Sequence, residues 1–461
     1  MSLRMRNHPA MPEDMHGKSG GNQLLWALYL GILLLLTVYQ DFPLVNLIGE
    51  IGRSPIVLLL PLFLICEVAM LAKHKRVMHG SKLQLYLLAF ILYLSFVSIA
   101  YVLVQFLQGS YSFGQENLLG KAIKVLIYFV LILLYIRHMQ LLFSKIGSRR
   151  VLYACFLAVV ALLAVIMILE LASIPYALAS LHSGSHPYWR VRLLTSESST
   201  TGTIVVVYSA ILVYLTRYLN GAAKVLSIAF ISAFFLFYLF VTGSKGFLIV
   251  ILLTIVVTML KFLDFRKKRN FLLLMAAAAA MYGFLSYFSA GVLGSLSNDI
   301  ENYTSSYTRM GTILIALATV AHHPLGVGTG AYLTYFNQYV DGAIGLMSRF
   351  YYDVFGIGQI NAGELLMYTD TDRNLGVKSG FFQWVMFGGI AAVVFFYALV
   401  RSLLAKVKTS SILFPAFIFV LLSLLFVALE IKYEIWLFFA FVSCCMGREE
   451  SGHADLRRTE T

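Results

Sequence analysis

The chain has 461 residues, of which 60% are hydrophobic and only 12% charged. Soluble proteins run at about 45–50% apolar and about 25% charged, so these values exclude a water-soluble globular enzyme, a disordered chain and a disulfide-stapled secreted module. They predict an all-α polytopic integral membrane protein. The net charge of +13 would suggest nucleic acid in a soluble protein. Here no basic block is interleaved with stacking aromatics, and the excess suits loops lying against anionic lipid. Cys66, Cys155, Cys444 and Cys445 all fall in apolar runs without paired spacing and read as small buried hydrophobes.

Residues 1–22 are polar, with Pro9, Pro12 and Gly20-Gly21, and read as a cytoplasmic tail rather than a cleavable signal. A span needs about 20 mainly apolar residues. On that measure about twelve candidates follow, centred on 24–40, 56–72, 84–106, 122–137, 151–171, 202–218, 225–241, 246–261, 271–290, 380–400, 412–430 and 433–446. Residues 23–290 then carry nine spans with an outer loop at 172–201, and 291–379 form one large periplasmic loop. Residues 380–446 carry the last three spans and 447–461 a cytoplasmic tail. With the N-terminus inside, 24 of the 35 Lys and Arg fall in cytoplasmic pieces, as the positive-inside rule requires. Continuous apolar runs exclude a β-barrel, and no internal repeat marks the inverted halves of a transporter.

Within the large loop, Met310, Ile313, Leu314, Leu317 and Val320 recur at helical spacing, with Arg309, Thr312 and Thr319 off that stripe. This predicts an amphipathic helix at the membrane surface. Residues 331–358, rich in Tyr and Phe, suit an interfacial lid.

Eleven cations remain outside, against the orientation rule. Snorkelling at helix ends accounts for Arg53, Lys121, Lys124, Arg349 and Lys432. Four places differ. Arg190 and Arg192 precede the polar run 195–202, which opens the sixth span, and a helix start with hydroxyls beside two arginines is an anion site. Lys245 occupies the turn Thr242-Gly243-Ser244-Lys245-Gly246 between two apolar runs, where a cation calls for an anionic partner. Arg309 leads the helix that ends in His322-His323-Pro324-Leu325-Gly326-Val327-Gly328, and Lys378-Ser379-Gly380 enters the tenth span. Cations without a carboxylate, His or Cys ligand set point to a phosphate-bearing substrate and no metal. The glycines at 326, 328 and 330 follow no predicted strand, so a dinucleotide loop is rejected. Glu67 and Glu170, inside apolar runs, are read as partners of buried cations.

At these four places the chain resembles the bacterial O-antigen polymerase and ligase superfamily, over roughly residues 185–395. Arg190, Arg192 and Glu197 match its arginine-bearing outer loop, although Ser198 stands where the family has Pro. Ser244-Lys245-Gly246 matches its Ser-Arg-Gly turn with Lys for Arg. Arg309 and His323-Pro324-Leu325-Gly326-Val327-Gly328 match its Arg-led helix and His-Pro-Gly motif, the first Gly one place early. Lys378-Ser379, Gln383 and Gly389 occupy the positions of its last motif, where the ligase-type His is missing.

The resemblance implies a Wzy-type polymerase of the inner membrane, with its active site facing the periplasm. It implies a cofactor-free, metal-independent, inverting glycosyltransferase that joins oligosaccharide units carried on undecaprenyl pyrophosphate. Donor and acceptor are both lipid-linked, and a flippase and a chain-length regulator are expected partners. Arg190, Arg192, Lys245, Arg309, His323, Lys378 and Ser379 would hold the pyrophosphate, with Arg190, Arg309 and Glu197 acting in transfer. Candidates for the base are Glu197, His323, Asp370 and Asp372. Two alternatives stay open: an O-antigen ligase transferring polymer to lipid A core, and a lipid-linked oligosaccharide flippase. A single cysteine introduced at 331–358 is expected to react with an impermeant reagent from the periplasmic side. Labelling only after lysis would overturn this orientation.

Overall fold

The computed structural model describes residues 20–74, 81–176, 178–184, 187–263, 275, 304–356, 362–370 and 375–444. Over these the protein is helical, apart from a small antiparallel pair, Ser112–Phe113 against Glu116–Asn117. In chain order the helices are α1 (Gly20–Val38), α2 (Val45–Ile48), α3 (Leu60–His74), α4 (Lys82–Leu107), α5 (Leu118–Lys145), α6 (Arg149–Ser173), α7 (Ser198–Leu215) and α8 (Gly221–Val241). They continue with α9 (Lys245–Phe262), α10 (Thr304–His322), α11 (Tyr332–Gln338), α12 (Val340–Phe355), α13 (Gly363–Asp370), α14 (Gly380–Val407), α15 (Leu413–Ser423) and α16 (Tyr433–Cys444).

Among the described residues eight helical segments are long and apolar enough to cross a bilayer: α4 to α9, α14, and Pro55–Lys73, where a 3-10 turn runs into α3. Three shorter apolar helices, α1, α15 and α16, coincide with further expected spans. The run at 271–290 lies outside the described residues, Met275 apart.

Short polar side chains start these apolar helices. Asn117 accepts from the Gly120 N–H at 2.9 Å, and Ser244 and Ser379 accept from Phe247 and Phe382 at 3.4 Å. Each satisfies an amide that the helix itself leaves without a partner.

The structure buries the hydroxyl face of α10 as well as part of its apolar stripe. Thr308, Thr312, Ile315 and Thr319 are fully buried, Ile313, Leu314 and Val320 pack half-buried against the core, and Met310 and Leu317 are each 46% exposed. Threonine suits such helix–helix contacts because its small side chain lets neighbouring backbones approach closely.

The last two expected spans are also changed. α15 ends at Ser423 and α16 begins at Tyr433, so residues 424–432 break the helix while Lys432 remains only 1% exposed. Irregular backbone at such depth needs partners inside the protein. Leu424 and Val427 supply carbonyls to Phe381 and Gly380 at the start of α14 (3.1 and 2.8 Å), and Glu430 accepts from the Trp384 indole at 2.8 Å.

The glycine-rich stretch after α10 is a packing device. α14 is interrupted at Gly389 (φ 56°), and Pro324–Gly328 fills the gap: Val327 N–H donates to Met386 O, Gly328 N–H to Phe387 O and Ile390 N–H to Pro324 O. Thr329 is then held by Ser98 of α4. A Cβ on Gly389 would lie 2.1 Å from the Pro324 carbonyl oxygen, and its φ disfavours any L side chain. Gly389→Ala is therefore expected to cost about 2 kcal/mol or more, as strained backbone positions do. Gly31→Ala in α1, where the new Cβ meets nothing within 4 Å, serves as the neutral control. Thermal midpoints in detergent measure both.

Candidate functional site

The break at 424–432 brings charge into one end of the bundle. The Lys432 ammonium donates to the Gln40 side-chain carbonyl and to Thr200 O at 3.2 Å, and lies 3.9 Å from Glu434 Oε1. Gln40 Nε2 donates to the other Glu434 oxygen, and the Thr203 hydroxyl donates to Oε1 at 2.5 Å. Lys432, Glu434, Gln40 and Thr203 are all buried. Four elements meet in this cluster: the end of α1, the first turns of α7, the 424–432 break and the start of α16. An ion pair so enclosed persists because both charges are also hydrogen-bonded.

A second layer lies next to it. Gln40 N–H donates to Leu194 O (2.8 Å), joining the end of α1 to the loop before α7. Asp41 accepts from His182 Nδ1 (2.8 Å) and the Ser183 hydroxyl (2.5 Å), with Arg53 at 3.8 Å. Burial pushes the Asp41 carboxyl up, but the bonds from His182 and Ser183 outweigh it and hold it below its ordinary value. Arg53 also grips Glu50 through two nitrogens.

The Ser/Thr run that opens α7 is largely self-satisfied. Thr195 and Thr201 donate to Arg192 O, and Thr200 to Glu197 O. Expected as an anion site, the run instead contributes Ser199, Gly202 and Thr203 to one wall of a small cleft. Gly246, Phe247 and Val250 of α9 form a second wall. Phe419, Ser423, Phe426 and Val427 form a third, and Arg309 of α10 completes the lining. Gly202 admits the Phe247 ring so closely that a Cβ there would come within 2.2 Å of it. Arg190 packs against the same turn: a Cβ on Gly243 would sit 3.8 Å from Arg190 Cδ. Three motifs far apart in sequence, at 190–203, 242–247 and 309, are thus brought together.

Other expected site residues fall elsewhere. Arg192 is buried, its guanidinium 5.0 Å from the Tyr188 ring, with its charge directed at Glu170. Glu170 also accepts the Arg192 and Leu193 amides at 3.2 and 2.7 Å. Arg192 anchors the loop to α6, in line with the reading of Glu170 as a cation's partner; Glu67 likewise pairs with Arg137. Glu197 precedes α7 with an exposed carboxylate that accepts from Ser199 at 3.1 Å and whose charge acts on Arg53 and Lys432.

His323 follows α10, fourteen residues beyond Arg309, or about 21 Å at the helical rise. There it meets Tyr101 (3.2 Å) and the Tyr335 ring. Burial and the neighbouring His322 hold its imidazole below its ordinary value. Ser379 is fully buried, donating to Leu424 O and capping α14. The exposed Lys378 has its amide on Thr312, one turn from Arg309, and its ammonium 6.0 Å from the Tyr368 ring. Asp372 and the Asp370 side chain lie outside the described residues.

Two residues assigned to snorkelling need correction. Lys432 is an interior cation and Arg53 is held by Glu50 and Asp41; Lys124 and Arg349 are exposed as expected. The signal for Lys432 was Glu430-Ile431-Lys432-Tyr433-Glu434, three alternating charges between apolar runs. His182 and Asp41 carried no local signal, being 141 residues apart. No known protein-family model matches the chain, and no characterised protein matches it.

Removing one partner of a buried pair strands the other, at about 3–5 kcal/mol, whereas removing both spares most of that. Lys432→Met is therefore expected to be strongly destabilising. Lys432→Met combined with Glu434→Gln should recover much of the loss in a detergent melting experiment.

Proposed function

We propose that this protein is a membrane glycosyltransferase that joins oligosaccharide units carried on undecaprenyl pyrophosphate, acting as a polysaccharide polymerase at the periplasmic face of the bacterial inner membrane. The observation that carries the reading is that Arg309 lines a cleft with the first turns of α7 and α9, while Arg190 packs on Gly243 in the turn that leads into α9. Each comes from a different motif of the resemblance. Their convergence supports reading those motifs as one site, and supports taking the chain as a member of the polymerase and ligase superfamily with about twelve spans.

The chemistry follows from the lining. Arg309 and Arg190 offer planar forks that each pair two phosphate oxygens. Lys245 adds a point charge at the start of α9, where the helix dipole also favours an anion. Phe247, Val250, Phe419 and Phe426 supply apolar surface beside these cations, as a phosphate joined to a hydrocarbon chain requires. Glycosyl transfer breaks the anomeric C–O bond to the pyrophosphate, and neutralising charge on that leaving group stabilises the transition state. Holding the acceptor hydroxyl against the anomeric carbon supplies a further part of the acceleration.

The test is chain formation in vitro from a purified lipid-linked repeat, with chelator present. A charge-assisted hydrogen bond is worth roughly 1.5–3 kcal/mol, so Arg309→Ala or Arg190→Ala should slow turnover roughly 10- to 100-fold. Arg309→Lys should rescue only in part, since an ammonium cannot make the two-pronged pair. Lys245→Ala should be inactive and Lys245→Arg active. Arg192→Ala should act chiefly through stability. Full activity of both Arg309→Ala and Arg190→Ala, or a strict metal requirement, would refute this assignment. Intact polymer left unattached to its final acceptor in a deletion strain would identify a ligase instead.

A further inference from the structure

Transfer to a saccharide hydroxyl releases a proton, and the groups expected to take it differ in their placement. Glu197 is exposed, one hydroxyl from the cleft through Ser199, and His323 lies about 21 Å along α10 from Arg309. The cleft does reach one enclosed carboxylate. Thr203 is on its wall, and the hydroxyl of Thr203 bonds Glu434 Oε1 at 2.5 Å.

We propose that Glu434 is the proton acceptor of the transfer reaction, reached through the hydroxyl of Thr203. The proposal rests on the glycosyltransferase reading. The acceptor oxygen forms its bond to the anomeric carbon while the bond from that carbon to the pyrophosphate oxygen breaks, the electron pair leaving with the pyrophosphate. The acceptor's proton passes to Thr203 Oγ1 as the proton already on Oγ1 passes to Glu434 Oε1. After product release the proton on Glu434 returns through Thr203 Oγ1 to water entering the cleft, which restores both groups, the pyrophosphate having departed as the anion.

The surroundings suit this role. Lys432 at 3.9 Å favours the carboxylate form of Glu434, and Gln40 occupies its other oxygen, leaving Oε1 directed at Thr203. The charge of the same carboxylate reaches Tyr135 of α5 and Tyr208 of α7. Glu197 and Arg53 act on Lys432 with opposite signs. Thr203 has a second acceptor, Thr200 O at 2.9 Å, which holds the hydroxyl when Glu434 carries the proton. Lys432 binds Thr200 O as well, so ammonium and relay share one anchor.

The experiment is the pH profile of initial rates with purified lipid-linked repeat. The wild-type rate should fall at acid pH as Glu434 is protonated and can accept nothing. Thr203→Val should lower kcat by 100-fold or more, as loss of a positioned proton acceptor does, while KM for the lipid-linked donor stays within about threefold. Thr203→Ser, which keeps the hydroxyl, should retain kcat within about tenfold. Glu434→Gln should flatten the acid limb, and Glu197→Gln should leave it in place.

Near-wild-type kcat in Thr203→Val, or loss of the acid limb in Glu197→Gln, would overturn the proposal while leaving the glycosyltransferase reading intact. Should Glu434→Gln fail to fold, the contrast between the Thr203 variants decides alone. Absence of transfer by the wild-type protein removes that reading, and this proposal with it.

Discussion

An ammonium enclosed in an apolar bundle must be neutralised within a few ångströms, and Lys432 meets that demand by interrupting a helix. Two continuous helices over 413–444 would satisfy their own backbone and leave no room for charge. With 424–432 unwound, Lys432 reaches Glu434, Gln40 and the Thr200 carbonyl together. The end of α1, the start of α7 and the start of α16 are tied by that one contact set. The freed carbonyls of Leu424 and Val427 in turn seat α14. The cleft inherits its third wall from the same interruption, since Phe426 and Val427 lie in it and Phe419 and Ser423 border it.

The opposite flank is built differently. There α14 breaks at Gly389 to accept the segment after α10, and Phe90, Trp384 and Phe395 stack at 4.7–5.9 Å between α4 and α14. This flank contains backbone-to-backbone bonds and aromatic rings, whereas the Lys432 flank contains charge. A rigid apolar frame beside a hydrogen-bonded polar cluster holds Arg309 steadily, because α10 is gripped at its far end by the Gly389 junction and meets the cleft near its beginning.

Much of this was legible in the sequence. Apolar runs of span length gave the long helices, and the entry at Lys378-Ser379-Gly380 is a true helix start capped by Ser379. The resemblance led to the expectation that residues 190, 245 and 309 share a site; of these, Arg309 lines the cleft and Arg190 packs on the Gly243 turn. The stripe on α10 misled in part because helical spacing does not show that the threonines between its members are also covered: Ile313, Leu314 and Val320 pack inward, but so do Thr308, Thr312 and Thr319, leaving Met310 and Leu317 exposed. The 195–202 run misled because a hydroxyl count does not say how many are spent on carbonyls. Lys432 misled for a third reason. Snorkelling and burial share one local pattern, and only partners 392 and 232 residues away, Gln40 and Thr200, distinguish them.

The two kinds of cation at this end of the bundle divide according to what already surrounds them. Lys432 and Arg192 have protein carboxylates facing them, so their charge is consumed in holding the chain. Arg309 lines the cleft, and Arg190 is exposed beside the turn that leads into the second wall. A substrate phosphate entering there would meet cations whose supporting segments are already fixed, so little ordering remains to be done on binding. Under the proposed transfer reaction, charge preset in this way would serve better than charge recruited by closure, because the field acting on the leaving group would exist before the bond begins to break.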